Sequence, residues 1–281
     1  MREAWLSGLV LVALAATSAR SDEWSHRYPL KGRPDLHVKT GDGSVRIESG
    51  AGTEIEARVT TVGWRIAPDE VTVTESQTGD RVDIEVRPPK ESSWFGTGNR
   101  SIAVVVRLPK QADVEVHTGD GRIEIEPVSG RISLSTGDGS IRADGLQGEI
   151  RMHTGDGSVE ATGLAGRLEA RTGDGPMKVR GRFDVLNLHT GDGGIEATVE
   201  PGSKVEAAWS LESGDGGVTL RLPEGFGADL DAHTGDGGIV LEKPVTVSGT
   251  VRENSVRGKL GTGGLPLRIR TGDGRIRLLG F

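Results

Sequence analysis

The sequence predicts an all-β protein: a single-stack parallel β-solenoid, β-helix-like, with about 18 residues per coil and a broader N-terminal sheet region. Three observations predict it. The phrase Thr-Gly-Asp-Gly returns on a fixed beat, with aspartates at Asp120, Asp138, Asp156, Asp174 and Asp192, each 18 residues after the last. Self-similarity at a fixed period is the signature of a repeat architecture. Between these phrases apolar and polar residues alternate, which is the period of a strand. Outward charges reverse sign from repeat to repeat, through Glu124, Arg142, Glu160, Lys178 and Glu196, and again through Arg131, Glu149 and Arg167. Opposite charges on neighbouring strands contribute roughly 0.2–1 kcal/mol and like charges oppose pairing, so the alternation favours an in-register stack.

Residues 1–19 read as a secretory signal peptide: Arg2, an apolar stretch from Trp5 to Ala16, then Thr17, Ser18 and Ala19. That stretch is about half of what a membrane-spanning helix needs, so no transmembrane span is expected. The product is expected to be secreted, periplasmic or at the cell surface. With no cysteine in the chain, disulfides, thiolate chemistry and a lipid-attachment cysteine are excluded. Residues 20–35, polar and carrying Pro29 and Pro34, read as a leader.

Residues 36–117 read as an N-terminal β region. It opens with Leu36-His37-Val38, a first corner at Thr40-Gly41-Asp42-Gly43, and the strand signature Val45-Arg46-Ile47. Longer strands follow over 54–62, 71–75, 81–87, 102–108 and 113–116, with an inserted loop at 88–100. This region is expected to continue the solenoid and cap its first coil, because a bare solenoid end invites edge pairing.

Residues 118–281 read as the regular Thr-Gly-Asp-Gly solenoid. After each corner comes an apolar pair such as Ile123/Ile125 or Met177/Val179, and before the next another such as Ile132/Leu134 or Leu186/Leu188. A second corner carries Gly130, Gly148 and Gly166, and Thr136, Thr154, Thr172 and Thr190 belong at the inner edge. Later intervals, to Asp215, Asp236 and Asp273, are 23, 21 and 37 residues. The longest approaches two coils, with Gly261-Thr262-Gly263-Gly264 as a degenerate corner; Thr78-Gly79-Asp80-Arg81 is a broken form of the phrase. The chain stops one strand past its last corner. The C-terminal coil is therefore expected to lack a cap and to support end-to-end self-association, or to pair with a partner.

Stacked corners, an N-terminal signal and longer strands ending in Arg107-Leu108-Pro109 resemble the bacterial putative-adhesin family of β-solenoid domains of unknown function, similar to toast-rack-like domains of cell-envelope proteins. The resemblance covers about 36–281. It implies surface adhesion, with envelope-stress sensing in some relatives, and supplies no functional residue motif.

The candidate sites are few. Asp120, Asp138, Asp156, Asp174 and Asp192 form a carboxylate ladder with two open readings. Calcium, which favours oxygen ligands, would relieve repulsion between rungs; alternatively each aspartate accepts hydrogen bonds from its own turn. His117, His153 and His189 recur every 36 residues, hence on every other coil and about 9–10 Å apart, too far to share one zinc. No Gly-Lys-Ser/Thr phrase follows the glycine-rich corners, which excludes a phosphate loop. Trp94 and Phe95 are candidate partner contacts in a loop, whereas Trp64 and Trp209 sit in strand-like contexts and read as core. A net charge of −7 and the lack of any basic run argue against nucleic-acid binding.

Catalysis needs a unique constellation, whereas here polar residues repeat coil by coil. The reading is a non-catalytic extracytoplasmic envelope protein without a cofactor: an adhesin-like or structural rod presenting repeated polar faces to an envelope protein or glycan. The alternatives are a sensing or regulatory domain for envelope stress and a polysaccharide-degrading β-helix enzyme, the latter needing two special carboxylates roughly 5–10 Å apart.

Overall fold

The computed structural model describes residues 21–89, 100–242 and 247–281. The signal-peptide reading of 1–19, most of the 88–100 loop, and Trp94 and Phe95 lie outside the described residues. The N-terminal region forms β1 (Ser21–Pro29), β2 (Asp35–Thr40), β3 (Ser44–Gly50), β4 (Glu54–Val62), β5 (Thr72–Thr78), β6 (Arg81–Arg87) and β7 (Ser101–Pro109). The regular part follows as β8 (Asp113–Thr118), β9 (Ile123–Ile125), β10 (Ser129–Thr136), β11 (Ile141–Asp144), β12 (Gln147–Thr154), β13 (Val159–Thr172), β14 (Met177–Thr190), β15 (Ile195–Val199), β16 (Trp209–Ser213) and β17 (Val218–Leu222). The chain closes with β18 (Ala228–Thr234), β19 (Ile239–Leu241), β20 (Val247–Val251), β21 (Ser255–Leu260), β22 (Pro266–Thr271) and β23 (Ile276–Gly280). Residues 20–35 are thus corrected from a leader to a leader with a strand: β1 pairs antiparallel with β4 along its whole length.

Each coil crosses two faces. Strands entering the Thr-Gly-Asp-Gly corner pair in parallel through β6, β2, β8, β10, β12, β13, β14, β16, β22 and β18. Strands leaving it pair through β7, β3, β9, β11, β13, β14, β15, β17, β23 and β19. The inner rows of both faces are buried, Ile123, Ile141, Val159, Met177 and Ile195 against Ile132, Leu134, Ile150, Leu168 and Leu186. No coil can cover such a row alone, and stacking at about 4.8 Å makes one continuous core.

Stack order departs from chain order at both ends. The first coil, β2–β3, lies between the β6–β7 coil and the β8–β9 coil. The last, β22–β23, lies between β16–β17 and β18–β19. The expectation of an uncapped C-terminal coil is therefore corrected: that coil is interior. The outer positions on the entering face belong to antiparallel hairpins, β5–β6 at one end and β20–β21 at the other. Two sequence phrases are corrected with it. Thr78-Gly79-Asp80-Arg81 is the hairpin turn from β5 to β6, with Gly79 at φ 64°. Gly261–Gly264 is the turn into β22 and not a solenoid corner, with positive φ at Gly261, Gly263 and Gly264.

Candidate binding faces

Two exposed surfaces are built by the repeat and a third lies at the N-terminal end; the corner is the first. Its threonine is scaffold. The Thr136 hydroxyl lies 3.0 Å from the Gly119 carbonyl oxygen and 2.9 Å from that of Gly121, and it accepts from the N–H of Gly139 in its own corner. Thr118, Thr154, Thr172 and Thr190 each bond the corner before them in the same way. Backbone bonds run in parallel, from Gly137 N–H to the Gly119 carbonyl and onward rung by rung. At the permuted end Thr271 bonds the carbonyls of Gly214 and Gly216, and Thr234 those of Gly272 and Gly274. The glycines are required by this close approach. A Cβ on Gly121, Gly139 or Gly157 would stand less than 3.0 Å from the carbonyl of the rung before.

The corner aspartates face solvent. Asp42, Asp120, Asp138, Asp156, Asp174, Asp192, Asp215, Asp273 and Asp236 succeed one another along the stack and are all exposed. Their side chains make no hydrogen bond or ion pair to another described residue, so the own-turn hydrogen bonds expected of them are made by threonine instead. Those from Asp42 to Asp215 lean along the stack: the Asp120 Oδ1 lies 3.0 Å from where a Cβ of Gly137 would stand. The result is a ridge of carboxylates, one per rung. A straight row brings each rung only two carboxylate neighbours, and calcium takes six to eight oxygens. Among the described residues no group of three or more His, Asp or Glu converges closely enough to hold a metal ion.

The outer row of the entering strands is the second surface. His117 and His153 both stand opposite Ser135, and His153 and His189 both stand opposite Arg171, so the histidines occupy alternate rungs. A trough of about 390 Å³ is lined by Glu169, Arg171, Asn187, His189, Ser210 and Glu212. A second, about 400 Å³, lies towards the N-terminal end among His37, Lys39, Asp83, Glu85, Glu115 and His117. Polar groups here are paired within and across rungs: Arg171 lies 2.9 Å from Glu169, and the His37 ring nitrogens lie 3.0 Å from Asp35 and 3.2 Å from Glu115. Arg81, hydrogen-bonded to Asp83, holds that carboxyl below its ordinary value. On the leaving strands the alternating row stands in register, Arg46, Glu124, Arg142, Glu160, Lys178 and Glu196, with Arg142 to Glu160 at 2.9 Å.

The third surface was missed by sequence reasoning. At the N-terminal mouth Trp24, His26 and Tyr28 form a row on β1, with ring centroids 6.2 and 4.7 Å apart. Glu75 of β5 closes over it, hydrogen-bonded to the Tyr28 hydroxyl and 3.4 Å from His26. Burial, with the Glu75 hydrogen bond and charge added, pushes the Tyr28 phenol well above its usual range. The alternation was present in the sequence, but Pro29 and Pro34 made the segment read as a leader. Trp209 is fully buried, its indole N–H donating to the Asp184 carbonyl at 3.1 Å. Trp64 is half-buried against the core with the Arg100 guanidinium 5.7 Å over its ring.

An all-β stack with scaffold threonines inside and repeated charged rows outside defines a toast-rack β-solenoid. Residues 34–279 match the Toastrack DUF4097 family, and the chain belongs to it. No curated protein matches the sequence. Among solved structures the chain is similar to a putative cell adhesion protein from Clostridium sporogenes ATCC 15579, at 14% identity and TM-score 0.34, covering 93% of this chain and 100% of that one. It is also similar to a putative adhesin from Bacteroides fragilis NCTC 9343, at 9% identity and TM-score 0.43, over 92% and 97% of the two chains. A putative lipid binding protein from Parabacteroides distasonis ATCC 8503 is similar at 10% identity and TM-score 0.46, over 93% and 98%. Among the described residues no helix is long and apolar enough to cross a membrane.

Proposed function

We propose that the protein is a non-catalytic component of the extracytoplasmic cell envelope, an adhesin-like binding rod whose repeated polar faces engage a surface glycan or protein. One observation carries this reading. Of the ten buried polar residues described, eight are corner threonines and a serine that join rung to rung, Thr40 holds the same corner place at the end of the series, and the tenth, Thr61, bonds the Trp64 carbonyl. Eight of these ten polar groups are occupied with holding the stack together. A catalytic centre needs an acid, base or nucleophile set apart from its surroundings, whereas the exposed carboxylates here are equivalent from rung to rung. Multiple equivalent rows suit multivalent contact, in which many weak sites add to one durable attachment.

Surface binding to purified envelope glycans and envelope proteins tests the reading, alongside an assay for release of reducing ends. The expected result is saturable, salt-sensitive binding without turnover, weakened when Glu169 and Arg171 are both replaced by alanine. Release of reducing ends from any member of the panel would overturn it.

A further inference from the structure

The entering face ends on two strands with open edges, and they are complementary. Among the described residues β5 pairs only with β6, and β20 only with β21. Natural edge strands are guarded by charge, proline, bulges or shortness. The leaving face follows that rule: β1 carries Glu23, Arg27 and Pro29, and β19 has three residues, one of whose N–H groups is taken by Glu253. The entering face is guarded less: β5 carries one charge, Glu75, over seven residues, and β20 none over five. β5 reads Thr-Val-Thr-Glu-Ser-Gln-Thr and β20 reads Val-Ser-Gly-Thr-Val, with neither lysine nor proline.

We propose that β20 of one copy pairs antiparallel with β5 of the next, joining copies of this chain head to tail. Polarity permits it. β6 runs parallel to β2 and β5 runs against it, whereas β20 runs against β21 and hence along β18. Two copies on a common axis therefore meet with opposed strands. Setting Val73 opposite Val251 places Thr74 against Thr250, Glu75 against Gly249 and Ser76 against Ser248. Both valines face the inner side, where Val251 is 57% exposed, and the hydroxyl pairs face outward, as paired Thr and Ser prefer. Gly249 leaves room for Glu75. Charge agrees as well. The β5–β6 hairpin holds Glu75, Asp80, Asp83 and Glu85 against Arg81 and Arg87, a net of −2; the β20–β21 hairpin holds Arg252, Arg257 and Lys259 against Glu253, a net of +2. Because the two surfaces differ, the contact is heterologous and propagates into a chain of copies. It does not depend on which surface molecule the rod binds.

The absence of native cysteine makes the register testable. Thr74→Cys and Thr250→Cys change exposed residues, and circular dichroism and melting identify any variant that fails to fold. Each variant alone is expected to remain uncrosslinked on mild oxidation, their mixture to give a 1:1 disulfide-linked dimer, and the double variant to give a ladder. Wild-type protein, needing no substitution, is expected to show a sedimentation coefficient that rises with concentration. Absence of the mixed adduct, homodimers of either single variant as abundant as the mixed one, or a wild type that sediments as a monomer throughout would each overturn the proposal.

Discussion

The corner threonine holds one rung to the next, and the first rung shows its worth by contrast. Thr154 lies 2.8 Å from the Gly139 carbonyl oxygen and 3.1 Å from that of Gly137, both in the preceding corner, and accepts from Gly157 N–H. Thr40 has the same place in its coil, but the neighbour on that side, β6–β7, has no Thr-Gly-Asp-Gly corner, and its buried hydroxyl has no partner among the described residues. Valine is close to threonine in shape and removes only the hydroxyl. Thr154→Val is expected to cost about 1–3 kcal/mol by stranding buried partners, whereas Thr40→Val should be neutral or slightly stabilising. Denaturant melts of the two variants check this, and equal losses would refute the role given to the hydroxyl. Gly157→Ala tests the close approach. Its backbone is not in the left-handed region, so any large loss of stability must come from the methyl meeting the Gly139 carbonyl.

At the scale of elements, two rows of charge have opposite consequences. The carboxylate ridge is unpaired, so each interior aspartate is repelled by two neighbours at about one strand spacing, with modest energy in water. Asp156→Asn is expected to raise Tm by about 1–2 °C, a fraction of what 1 kcal/mol shifts in a domain of this size. Calcium should raise Tm no more than sodium at matched ionic strength; an extra rise abolished by Asp156→Asn would establish cations bridging the rungs. Asp231 is the reverse case. Arg270 at 2.5 Å and Arg257 at 3.0 Å bind it, and the Arg270 hydrogen bond chiefly holds its carboxyl below the ordinary value. A depressed carboxyl contributes stability above its unfolded pKa, and that contribution is lost as pH falls through the folded value. Asp231→Asn should therefore lower Tm at pH 7, and the gap from wild type should narrow as pH falls below the ordinary Asp value of about 3.9. A gap independent of pH would mean that shape, not charge, joins β18, β21 and β22.

The whole molecule shows which facts a repeat writes into sequence and which it leaves out. Coil length, inner rows and alternating charge were legible because stacking constrains each directly: Glu160 must face Arg142 and Lys178, and it does. The order of coils was not. Every corner presents a threonine or serine hydroxyl and the same glycine carbonyls, so the corner at Thr271 stacks on the one at Ser213, and the one at Thr234 on the one at Thr271, through the same kind of hydrogen bond. The β20–β21 hairpin occupies the outer edge of β18, and the final coil takes the interior place on its other edge. The candidate faces were partly legible for the same reason: the ridge is a repeat property, whereas the Trp24, His26 and Tyr28 row forms only when β1 folds back on β4. Permutation also changes what truncation does. In a sequential solenoid the last coil is an end and its removal costs one interface. Here deletion of residues 266–281 removes a coil with neighbours on both sides, stranding Trp209 and Leu211 of β16 on one side and Leu230 and Ala232 of β18 on the other. The shortened protein is expected to lose its cooperative melt, whereas replacing residues 247–263 by a short linker, which removes the outer hairpin, should leave a cooperative transition at lower Tm. If the C-terminal deletion instead melts cooperatively near the wild-type temperature, the interior placement of β22 and β23 is wrong.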